Sequence, residues 1–179
     1  MDNAKKDLQD NTLDILNQQL TNITAENQYV TFLLGEEEYG VDVLKVQEII
    51  RYNEPTKIPN IPDVIAGVAN SRGEIIPIID MRIKFNMKKI EYNSFNIIIV
   101  IEVKDSFVGI IVDEVSDIIS FNSEDIQKTP EFTSDIKTEH IRGMGKTNNR
   151  LILLLDTDKL LTFKEYTFVK ETKRNIEND

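Results

Sequence analysis

Apolar and polar positions alternate in short runs through the centre of the chain, which predicts strands rather than long helices. Between residues 29 and 163 the β-branched stretches come in pairs separated by turn-forming residues. "YVTFLL" (29–34) faces "YGVDV" (39–43) across Gly35-Glu36-Glu37-Glu38, and "VIAGVAN" (64–70) faces "EIIPIID" (74–80) across Ser71-Arg72-Gly73. "FNIIIVIEV" (95–103) faces "FVGIIVDEV" (107–115) across Lys104-Asp105-Ser106, and "HIRGMGK" (140–146) faces "RLILLLD" (150–156) across Thr147-Asn148-Asn149. Each pair is a hairpin signal, and many short strands with close turns point to small barrels or a sandwich.

Three segments read differently. In "VLKVQEII" (43–50), Val43, Val46 and Ile50 share one helical face while Lys45 and Glu48 point away, which predicts a brief helix. Pro55, Pro59 and Pro62 then mark a connecting loop. Residues 1–28 are polar but carry Leu13, Leu16, Leu20 and Ile23 at helical spacing, so this extension is either a frayed tail or a short amphipathic helix. Residues 164–179 read as a short helix and tail, with a start signal near Asp156-Thr157-Asp158.

The chain also repeats itself. "IRGMGKTNNRLILLLD" (141–156) aligns without a gap beneath "IAGVANSRGEIIPIID" (65–80), placing Gly143 on Gly67, Ile152 on Ile76 and Asp156 on Asp80. Upstream, "VGIIVDEVSDII" (108–119) matches "YGVDVLKVQEII" (39–50), placing Gly109 on Gly40 and Ile118-Ile119 on Ile49-Ile50. Two matches in the same order imply a duplicated unit of about 70 residues. Units this small are expected to share a core, with a first barrel at about 36–95, a second at about 96–156, and strands free to swap between them. Gly67 and Gly143 are expected to meet a backbone requirement, either a bulge or a close approach, and Gly73 to serve the turn.

The repeat disposes of an apparent phosphate loop. "HIRGMGKT" (140–147) ends in Gly-Lys-Thr, but the first loop glycine is replaced by His140 and a strand follows instead of a helix. Other chemistry is sparse. One histidine and no cysteine exclude disulfides and thiolate chemistry and offer no metal cluster. Asp80 and Asp156 read as turn or cap residues, and His140 as an edge residue without a catalytic partner. A net charge of −10 with dispersed basic residues argues against nucleic-acid binding. No apolar run approaches the roughly 18 residues of a membrane span. No cofactor or metal is expected.

The motifs in order, "YVTFLLGEEEYGVDVLKVQEII", "VIAGVANSRGEIIPIIDMRIKF", "VGIIVDEVSDII" and "HIRGMG…LILLLD", resemble the CheW family of bacterial chemotaxis coupling proteins over about Tyr29 to Phe163. The family's Asn-Leu-Arg-Gly hallmark is met by Asn70-Ser71-Arg72-Gly73, with Pro77 and Asp80 following; Ser71 departs at the leucine position. The resemblance implies two SH3-like β-barrels packed side by side. It implies a cytoplasmic, non-catalytic adaptor that is not inserted in the membrane but recruited to receptor arrays. There it would join the helical tip of chemoreceptors to the regulatory domain of the histidine kinase CheA. Another receptor–kinase pathway stays open as the client. By the same resemblance, Val46, Glu48, Arg72, Ile97, Ile98 and Ile118 form a receptor-binding groove, with Glu48 and Arg72 paired at its rim. Val43, Gln127 and Phe132 serve the kinase.

Overall fold

The computed structural model describes residues 2–21, 27–128 and 138–177. Helix α1 (Asp2–Thr21) is followed by β1 (Gln28–Leu34), β2 (Glu37–Asp42), a 3-10 turn (Val43–Lys45), β3 (Val46–Arg51), β4 (Ile65–Ser71) and β5 (Glu74–Asp80). Then come α2 (Met81–Lys84), β6 (Ile97–Val103), β7 (Ser106–Val112), β8 (Glu114–Ser120), β9 (Ile126–Gln127), β10 (Ile141–Thr147), β11 (Arg150–Leu155) and α3 (Phe163–Glu177). The four expected hairpins form, as β1–β2, β4–β5, β6–β7 and β10–β11. Arg72-Gly73 and Asn148-Asn149 take positive φ at both turn residues, as tight hairpins with matching twist require.

The segment after β2 differs from the sequence reading. Residues 43–50 are not a helix. Asp42 accepts a hydrogen bond from the Leu44 amide and caps one 3-10 turn, after which the chain enters β3. The apolar spacing suited either structure, and pairing decides it: Ile49 and Ile50 lie opposite Ile99 and Ile98 of β6. The N-terminal extension is a helix over Asp2–Thr21, with Leu13 and Leu16 buried. Ile23 lies outside the described residues.

The sheets are built by reciprocal exchange. One sheet runs β8-β1-β2-β11-β10-β9, the other β3-β6-β7-β5-β4. By the repeat alignment, β1 through β5 correspond to β6, β7, β8, β10 and β11, so the two orders are the same. Each sheet therefore joins the first hairpin of one repeat to the last three strands of the other, and a boundary at residue 95 does not separate them. The registers repeat too. Gly40 lies beside Leu154 in the parallel β2–β11 pair, and Gly109 beside Ile78 in β7–β5. The bulge before Gly67 recurs before Gly143.

Edge strands meet at the far ends of each sheet order, which closes each into a barrel. Glu48 of β3 contacts Ser71 and Arg72 at the end of β4. Phe121, just after β8, packs against Gly145 of β10 so tightly that a Cβ there would lie 2.6 Å from its ring. Each barrel has a small interior: Ile76, Ile78, Ile98, Val100 and Ile111 in one, Tyr29, Phe121, Ile152 and Leu154 in the other. The larger core lies between them and includes Val30, Phe32, Val41, Ile49, Ile99, Ile110, Val112 and Val115.

Asp80 and Asp156 are caps, accepting from the amides of Ile83 and Asp158. His140 is not an edge residue. It is buried against Phe85, with Nδ1 2.8 Å from the Lys159 carbonyl.

Candidate partner-binding surface

The β4–β5 turn fixes the most exposed of the candidate residues. Asn70 Oδ1 accepts from the Gly73 amide at 3.1 Å, locking the turn, and Arg72 projects from it with 57% of its side chain exposed. Its Nε lies 3.4 Å from Glu48 Oε2, and its Nη2 donates to the Gln47 carbonyl at 3.3 Å. The other Glu48 oxygen accepts from the Ser71 hydroxyl, which is buried. The serine at the hallmark's leucine position therefore anchors the glutamate that holds Arg72. Sequence reading paired Glu48 with Arg72 but missed Ser71 as the third member; its departure from the hallmark was the available signal.

The second barrel carries a counterpart. Asp117 aligns with Glu48, and it accepts from Arg150 at 3.2 Å and from the Thr31 hydroxyl at 2.6 Å. Arg150 also pairs with Glu38. Those two carboxylates raise the Arg150 pKa, while burial opposes them. A carboxylate–arginine clasp near the barrel end thus occurs in both halves, and Arg72 is the more exposed arginine of the two.

The remaining candidates divide by burial. Val46, beside Glu48 on β3, and Ile118 on β8 are half-buried and pack on the core between the barrels. Ile97 and Ile98 are each 1% exposed: Ile97 lies in the shared core, where it lines a cavity beside α1, and Ile98 lies inside the first barrel. Consecutive residues of a central strand point to opposite faces, and both faces of β6 are covered. Val43 is likewise buried, because the 3-10 turn directs it inward; its neighbour Leu44 is exposed. Gln127 is exposed on β9, paired with Met144. Phe132 lies outside the described residues.

Gly67 and Gly143 sit where the chain passes close to another backbone. A Cβ at Gly67 would lie 2.4 Å from the Thr56 carbonyl oxygen, and one at Gly143 would lie 2.8 Å from that of Gln127. Gly73 takes φ +82 in open space.

No helix among the described residues is long and apolar enough to cross a membrane. None of their His, Asp or Glu side chains group in threes to hold a metal.

A CheW-like domain model matches residues 28–165, which hold both barrels. The chain belongs to the CheW family. The chemotaxis protein CheW of Klebsiella aerogenes is 42% identical over 152 residues, covering 85% of this chain and 92% of the relative. That of Bacillus subtilis is 32% identical over 139 residues, covering 78% and 89%. The crystal structure of the scaffolding protein TtCheW from Thermoanaerobacter tengcongensis superposes with a TM-score of 0.72 at 33% identity, covering 78% of this chain and 94% of that one. A chemotaxis scaffold is the function class that CheW membership supports. The CheW match begins beyond α1.

Proposed function

We propose that this chain is a non-catalytic coupling scaffold that joins a chemoreceptor's helical cytoplasmic tip to the regulatory domain of the histidine kinase CheA. On this reading it works in the cytoplasm, at membrane-associated receptor arrays. The observation that carries the proposal is Arg72, which is exposed yet held by Glu48 and the Gln47 carbonyl. A fixed charge held by the strand that also carries the half-buried Val46 is what docking an amphipathic helix requires: an apolar seat with a charged rim. Ile118 supplies the seat on the opposite sheet. Kinase contacts fall at the barrel ends, on Leu44 and Gln127, with Phe132 as a further candidate.

Arg72→Ala tests the receptor side. An exposed ion pair contributes about 0–1 kcal/mol to stability. The melting temperature should therefore move by no more than about 4 °C. Affinity for a soluble receptor-tip hairpin, measured by calorimetry, should fall about tenfold or more, while binding to the kinase regulatory domain stays unchanged. A melting temperature lower by 10 °C or so would instead make Arg72 a structural clasp like Arg150.

A further inference from the structure

Helix α1 lies across the seam between the two sheets. On one side it covers β3, an edge strand. Asn17 donates through Nδ2 to the Ile49 carbonyl at 2.8 Å and accepts through Oδ1 from the Ile49 amide at 2.9 Å. A side-chain amide thus fills the place of the strand partner that β3 lacks. Leu13 and Leu16 enter the shared core that also holds Ile49, Ile97 and Val115. Toward the N-terminus, Arg51 pairs with Asp10 and donates to the Lys6 carbonyl, and Gln9 donates to the Phe95 carbonyl at 2.8 Å. On the other side, Leu8, Gln9 and Thr12 line a cavity with Glu114 and Val115 of β8.

The attachment is narrow. Leu13 and Leu16 are buried and Leu20 packs half-buried against the same core, while Leu8 and Ile15 stand exposed. The helix also lies outside residues 28–165, which comprise the family domain. The seam therefore belongs to the domain, and α1 is an addition laid into it. Val46 and Ile118 pack on the same core cluster that Leu13 and Leu16 join.

We propose that α1 is a built-in occupant of a helix-binding groove and competes in cis with the receptor-tip helix. This rests on the reading above, in which that groove seats the receptor. The seated residues define what the groove accepts: an acidic residue for Arg51, apolar residues three and six positions later, and an amide immediately after, as in Asp10, Leu13, Leu16 and Asn17. A partner helix with this pattern makes the same contacts once α1 leaves. While α1 is docked, the apparent affinity for that partner is reduced by the fraction of molecules with an open groove.

The test uses the full chain, with Leu13→Asp/Leu16→Asp to undock the helix and Asn17→Ala as a milder variant that puts no charge in the core. Hydrogen exchange at the Ile49 amide reports undocking in the double variant; in Asn17→Ala, which removes that amide's own acceptor, exchange of the α1 backbone amides reports it instead. Calorimetry measures binding of the receptor-tip hairpin and, separately, of the kinase regulatory domain. The expected result is fast exchange at Ile49, hairpin affinity about tenfold to a hundredfold tighter than wild type, and unchanged kinase binding. Equal or weaker hairpin affinity with Ile49 exchanging freely overturns the inference and leaves the receptor reading intact. A hairpin bound by neither wild type nor variants overturns both. If the double variant does not fold, Asn17→Ala decides by the same comparison.

Discussion

Glu165→Leu should lower the melting temperature by about 10 °C. Glu165 and Lys84 form an ion pair whose side chains are 8% and 5% exposed, joining α3 to α2. Glu165 also closes a capping box at the start of α3. Its carboxylate accepts from the Thr162 amide at 3.0 Å, and the Thr162 hydroxyl accepts from the Glu165 amide at 3.2 Å. Removing the carboxylate leaves a buried ammonium without its counter-ion, which costs about 3–5 kcal/mol. For a protein of this size each kcal/mol moves the midpoint by about 2–4 °C. The double variant Lys84→Met/Glu165→Leu should recover most of the loss, because no charge is stranded; calorimetric melting of the three proteins checks this.

The same pair sets a pH dependence. Burial pushes the Glu165 carboxyl up, but the hydrogen bonds from Lys84 and the Thr162 amide outweigh it and hold the group below the ordinary glutamate range. A folded value below the unfolded one gives stability that is present above about pH 4.3 and is lost as pH falls through the folded value. Wild type should therefore lose melting temperature on acidification below that point more steeply than Glu165→Gln.

Gly67→Ala should be the most damaging of the glycine substitutions. The residue combines φ +152 with a Cβ position 2.4 Å from the Thr56 carbonyl oxygen, and that oxygen accepts from the Val68 amide at 2.9 Å. Neither backbone can give way without losing the bridge that closes the proline loop onto β4. Strain and clash together should cost about 3 kcal/mol or more. Gly143→Ala has the contact, 2.8 Å from the Gln127 carbonyl, without the positive φ, and should cost less. Gly73→Ala has φ +82 and open space around it, and should cost only about 1 kcal/mol. Chemical denaturation of the three variants should give that order; equal costs at Gly67 and Gly73 would show that the close approach carries no weight.

The hairpins were legible because turn residues and β-branched runs are local signals. The duplication was legible because its glycines and isoleucines keep their spacing. Which strands share a sheet was not: β1–β2 could pair with either half, since Val30, Phe32 and Val41 suit any apolar face. The Val43–Ile50 segment failed for a related reason. Its apolar positions fit a helix, and only the presence of β6 alongside makes a strand the better answer. Ile98 lies inside a barrel and Ile97 beside α1, and nothing in an unbroken isoleucine run says which element covers each face of its strand. The Glu48–Arg72 pair could be anticipated from opposite charges on neighbouring motifs. Its dependence on Ser71, and the docking of α1 through Asn17, arise from contacts distant in sequence.

The exchanged hairpins also order events during synthesis. β3, β4 and β5 leave the ribosome early, yet the sheet they belong to is completed by β6 and β7, which begin only at Ile97 and Ser106. Meanwhile β1 and β2 wait for β8, β10 and β11. Neither barrel can close from its own repeat: one sheet lacks β7 until Val112 has been made, and the other lacks β11 until Leu155. The same connectivity is what two exchanged copies of one unit would have if their chains were joined end to end.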